Sequence, residues 1–154
     1  MAFLRLVLAY VATVVFMTAL CVIAQSLFVL SGLGEVGASI SLPAALGMIA
    51  DDLLGLAPNY AIFIAIGLLI ALPAAALTGR LTGLPRALVF AGAGLVCMLI
   101  MLTLMKEVFF GVQIIAGARS LAGFWAQAAM GAVAGLAFAA LTPAPRKAKF
   151  TSTG

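Results

Sequence analysis

The chain has 154 residues, 66% of them hydrophobic and 8% charged, with a formal net charge of +4 and no histidine. A soluble domain is about 45–50% apolar and about 25% charged, and a short chain keeps too much surface to hide such an excess. The composition excludes a soluble fold and predicts an all-α integral membrane protein. The missing histidine removes the commonest metal ligand and the commonest general base.

A membrane span needs about 20 mostly apolar residues. Four stretches qualify, at about 4–30, 59–78, 86–110 and 120–142. They predict one four-helix transmembrane domain over 1–142, followed by a short basic tail, 143–154. In the first stretch Arg5 precedes an apolar run of about 25 residues, against about 7–15 for the apolar core of a signal peptide, so it reads as a retained helix. Tyr10, Thr13, Cys21 and Gln25 fall close to one face of it, with Met17 between them. Such a polar stripe must turn inward, because unsatisfied polar groups are costly in hydrocarbon. It serves either hydrogen bonding between helices or the lining of a narrow path.

The long connection, 31–58, opens on Gly32, Gly34 and Gly37, which predict a flexible segment. Ser41-Leu42-Pro43 then reads as a helix start with proline in the first turn. Leu42, Leu46, Ile49 and Leu53 follow at helical spacing, and Gly55 and Pro58 close the element. This predicts a short amphipathic helix in the outer loop between spans one and two, lying on the membrane surface or packed on the bundle. Asp51 and Asp52 sit near its end, where the helix dipole disfavours anions. Lys106, Glu107 and Arg119 flank the turn between spans three and four. Together these five residues form a candidate outer polar cap, in which a cation pairs with a carboxylate.

Span two carries Pro73, which frees a backbone carbonyl and can kink the helix. Span three begins with the small residues Ala91, Gly92, Ala93 and Gly94, and span four places Gly123, Gln127, Gly131 and Gly135 at intervals of four. Small residues let helices approach closely in lipid, and Gln127 can hydrogen-bond across the contact, so Gly92, Gly94, Gly123, Gln127, Gly131 and Gly135 are candidate packing residues.

Basic residues set topology. Arg5, Arg80, Arg86, Arg146, Lys147 and Lys149 fall on one side of the four spans, and every acid falls on the other. The basic excess predicts both termini in the cytoplasm. The compact chain and the strong charge bias suggest a bacterial inner membrane. Cys21 and Cys97 are isolated, which gives no paired-cysteine pattern for redox or zinc. No catalytic, cofactor or metal site is predicted, and the scattered cations point to membrane lipids rather than nucleic acid. Because no acid or base lies mid-span, proton-coupled transport is disfavoured. The leading expectation is a non-catalytic accessory or assembly subunit, partnered by other membrane subunits or by its own copies. The alternatives are a small oligomeric channel or carrier for a small or neutral solute, and an outer-face lipid-modifying enzyme using Asp51 or Asp52 with Arg119.

Overall fold

The computed structural model describes residues 2–108, 110 and 115–142; the basic tail lies outside them. The chain is all-α. Its helices are α1 (Ala2–Glu35), α2 (Leu42–Gly55), α3 (Ala57–Thr82), α4 (Arg86–Val108) and α5 (Leu121–Leu141), with a 3₁₀ turn at Ala116–Ala118 before α5. Four of them, α1, α3, α4 and α5, are long and apolar enough to cross a membrane. They pack as a ring in the order α1, α5, α4, α3, each touching its two neighbours.

The element boundaries show which local signals dominate. Helix α1 does not stop at the first glycines; it runs through Gly32 and Gly34. Glycine in a helix is unfavourable by about 1 kcal/mol, which one continuous hydrogen-bonded helix absorbs. It ends at Glu35, and Gly37 just beyond, with a φ of 86°, supplies the left-handed turn. There the N–H of Ala38 donates to the Leu33 carbonyl at 3.1 Å and that of Gly37 to Gly34 at 3.0 Å. This pair of bonds is the glycine-terminated Schellman closure. With 34 residues, α1 is about 50 Å long, well beyond the roughly 30 Å of bilayer hydrocarbon.

Helix α2 starts as the sequence signals, with Ser41 extended and Pro43 in the first turn. None of its residues is fully buried. Ile49 and Leu53 are half-buried, whereas Leu42 and Leu46 are exposed. The helix rests on α1 and α3. It joins α3 through Leu56 alone, whose N–H still donates to Asp52 at 2.8 Å and whose carbonyl accepts from Tyr60 at 3.0 Å. Helix α3 therefore begins at Ala57, ahead of the expected Asn59, with Pro58 in its first turn. It continues through Pro73 and closes on left-handed Gly83.

The buried face of α3 is Tyr60, Ile64, Leu68, Leu72 and Ala75, a stripe at the spacing of a helix seam. The outward faces stay apolar, as Ile62, Ile66 and Leu69 show. Lipid tails are as apolar as these side chains, so the hydrophobic effect gives little reason for one helix to bury against another. Close packing and internal hydrogen bonds must hold the bundle together instead, and both are concentrated on α5.

Candidate functional site

Helix α5 begins at Ser120, whose Oγ accepts a hydrogen bond from the Gly123 N–H at 3.0 Å. That cap fixes its start and turns Gly123, Gln127, Gly131, Ala134 and Gly135 into the bundle. The α4–α5 contact is made backbone to backbone. A Cβ on Gly94 would strike the carbonyl group of Gly131, and one on Gly131 would strike that of Gly94. A Cβ on Gly135 would meet the Phe90 carbonyl. At the start of α5, Gly123 packs against the Gly117 carbonyl, and Gly117 against the Gln25 backbone of α1. Gly92 lies off this contact, with nothing within 4 Å of its Cβ position.

Gln127 is fully buried at the centre. Its Nε2 donates to the Cys21 carbonyl of α1 at 2.9 Å, and its Oε1 accepts from the Tyr60 hydroxyl of α3 at 3.3 Å. One amide thus ties three helices. Of the polar stripe on α1, the Tyr10 hydroxyl donates to the Ala65 carbonyl of α3 at 2.6 Å. Thr13 is buried and donates to Ala9 in its own helix at 2.7 Å. Cys21 is a buried free thiol. Gln25 is buried, and its Oε1 has no hydrogen-bond partner among the described residues.

Ser26, next to Gln25, is the residue that links this interior to α2. Its Oγ lies 2.6 Å from Asp52 Oδ2 and 3.0 Å from the Val22 carbonyl. The hydroxyl proton serves the carboxylate better, because the carbonyl belongs to the helix ladder. An anion near the C-terminal end of α2 needs a donor against the helix dipole, and a serine of α1 supplies it. Asp51 is exposed. Lys106, Glu107 and Arg119 border one hollow of 580 Å³ between the end of α4 and the start of α5. The structure thus divides the five cap residues: Asp52 turns to α1, whereas the other side of the cap surrounds an open space.

At the opposite end of the bundle Arg86 opens α4. Its guanidinium donates to the Thr142 carbonyl at 2.6 Å and also to the Thr142 hydroxyl, and it lies 5.1 Å from the Phe90 ring centre. Phe90 in turn packs on Phe138 at 5.2 Å. A cation at a helix C-terminus complements both the open carbonyls and the dipole. Sequence reading assigned Arg86 only a topological role, and missed Ser26 and Tyr60. Tyr60 was findable as a large hydroxyl inside an apolar span. Its partner, 67 residues away in the chain, was not.

A second concave feature lies between α3 and α4, a groove of 770 Å³ lined by small and aliphatic residues such as Gly67, Ala71, Ala74, Gly92 and Val96. Cys97 lies along it, and a Cβ on Gly67 would come within 2.6 Å of the Cys97 sulfur. No cluster of three or more cysteine, aspartate or glutamate side chains is grouped to hold a metal among the described residues. Comparison with family models, curated proteins and solved structures finds no match.

Proposed function

We propose that this protein is a non-catalytic accessory or assembly subunit of a larger membrane complex. The observation that carries the reading is where space and polarity lie. The interior is closed by glycine contacts, and both ends of its central amide are engaged, Oε1 by Tyr60 and Nε2 by Cys21. The large groove opens sideways between α3 and α4 and is almost wholly apolar. A bundle of this kind offers helix-packing surface rather than a reaction chamber. The test is affinity purification in mild detergent, with mass spectrometry and native mass. A stoichiometric membrane partner is the expected result. A homo-oligomer without a partner would overturn it.

The same proposal places the protein in a bacterial inner membrane with both termini cytoplasmic, by the bias of Arg5, Arg80 and Arg86 toward one end. Reporter fusions after Gly154 and between Arg80 and Arg86 should read cytoplasmic, and a fusion at Gly37 external. One observation favours a second reading, a carrier for a small neutral solute: the buried Oε1 of Gln25, which has no hydrogen-bond partner among the described residues. Flux into liposomes that disappears in Gln25→Leu would select that reading.

A further inference from the structure

Pro73 sits inside α3 and has no N–H, so the Leu69 carbonyl loses the donor that a helix supplies four residues on. Leu69 lies midway between Ala57 and Thr82, at the centre of the span. The hydroxyls of α3 do not make up the loss: Thr78 donates to Ala74, Thr82 to Thr78 and Tyr60 to Gln127. The freed carbonyl is on the outward face, because Leu69, Ile70, Pro73 and Leu77 around it are exposed. A backbone acceptor without a donor is costly in hydrocarbon. The apolar groove opens along the flank of the same face, with Ile66, Ile70 and Ala74 from α3 and Gly92 from α4. Gly92 has nothing within 4 Å of its Cβ position, whereas Gly94, Gly131 and Gly135 each meet a backbone. Glycine is disfavoured inside a helix, and no contact within the chain accounts for this one.

Two occupants of this face fail on chemistry. Lipid tails hold no hydrogen-bond donor. A second copy of the chain offers none at this depth among the described residues: Thr13, Thr18 and Gln127 are buried, and the exposed Thr78, Thr82, Thr103 and Trp125 lie toward the ends of their helices. We propose that this face of α3, with the groove beside it, seats one membrane-spanning helix of a different protein. That helix carries a serine, threonine, asparagine or glutamine near its middle, and the side chain donates to the Leu69 carbonyl. Ala71, Ala74 and Gly92 let it approach closely, and the hydrogen bond fixes its depth. The inference rests on the accessory-subunit reading; it adds which face is used and what the partner must bear.

The test is photo-crosslinking of the full chain in its native membrane. A photo-crosslinking amino acid is placed at Ile66, one turn from the Leu69 carbonyl, and for comparison at Val15 on the exposed side of α1. The Ile66 product should be a different protein, joined at a membrane span with one of the four donor residues within a turn of the crosslinked position. Val15 should give lipid. Pro73→Ala supplies the missing N–H, so it should fold at least as well and lower the Ile66 yield about threefold to tenfold, the worth of one hydrogen bond between helices in lipid. Gly92→Leu should lower the yield as well, by filling the groove. Lipid or a second copy at Ile66, a crosslinked span without such a donor, or an unchanged yield in Pro73→Ala would each overturn the proposal. A partner that crosslinks at Val15 and not at Ile66 would overturn it and leave the accessory-subunit reading standing. No partner at either position would overturn both.

Discussion

Adding one methyl group at Gly131 tests what holds the bundle together. In Gly131→Ala the new Cβ would lie 2.7 Å from Met98 Cγ and 2.9 Å from the Gly94 carbonyl carbon, with the carbonyl oxygen closer still. Met98 can change rotamer, but the backbone of α4 cannot. Ordinary contact begins near 3.4 Å, and the carbonyl oxygen sets the demand, so the two helices must part by roughly one ångström. A gap of that size forfeits up to about half of each pairwise dispersion well along the seam. Overpacking of this kind costs about 1–3 kcal/mol. Alanine recovers roughly 0.5–1 kcal/mol of helix propensity. The net expectation is a loss of about 1–2 kcal/mol.

Gly92→Ala is the internal control. It makes the same chemical change in α4, but its Cβ meets nothing within 4 Å. It should be neutral or slightly stabilising, so the two variants should differ by about 2 kcal/mol. Unfolding in mixed micelles of rising dodecyl sulfate fraction, followed by circular dichroism, measures both. Equal midpoints would refute the backbone-contact account of the α4–α5 seam.

Three further outcomes are expected. Gln127→Leu leaves the Tyr60 hydroxyl and the Cys21 carbonyl without their partner and should cost about 1–2 kcal/mol in the same assay, whereas Tyr60→Phe removes only one bond and should cost about half as much. Arg86→Gln uncovers the end of α5 and should speed amide exchange in its last turn, with about 1–2 kcal/mol lost; unchanged protection there would show that Arg86 does not hold that end. Ser26→Ala removes the donor to Asp52 and should make α2, but not α3, more accessible to limited proteolysis; an unchanged digest would mean that Leu53 and Leu56 alone seat α2.

How much of this was legible in the sequence depends on the range of the interaction. The existence of the four spans, the start of α2 after Ser41 with Pro43 in its first turn, and the start of α5 after Ser120 rest on local composition, and each is present, although α1 and α3 run past the expected bounds. The glycine spacing of α5 was equally visible, because helical periodicity needs no knowledge of the partner. The extent of α1 was not, since Gly32 and Gly34 read as breakers while only Gly37 needs a positive φ. Asp52 shows a different limit. Its position near the end of α2 demanded a compensating group, and nearby charges were the obvious candidates. The group that reaches it is the neutral Ser26 hydroxyl, because α2 lies along α1. Gly92 and Gly94 looked alike in sequence, and only the crossing point of α4 and α5 separates them.

The position of the polar groups also bears on the choice between a partner subunit and a carrier. From Gln127 toward the Arg86 end, the buried side chains of α3, α4 and α5 are apolar: Ile64, Leu68, Leu72, Phe90, Ala134 and Phe138. On α1 the hydroxyls of Thr13 and Thr18 are engaged with their own helix. A polar solute moving past this stretch would lose its hydrogen bonds with few replaced, at a cost of several kcal/mol. A path opened between α4 and α5 would require the two helices to separate, which is the motion that the Gly94–Gly131 contact opposes. The methyl group added in Gly131→Ala therefore discriminates on function as well as stability. In a carrier, a loosened seam changes the rate of flux. In a subunit that uses its outer faces, it changes the recovery of the partner and leaves the liposomes tight.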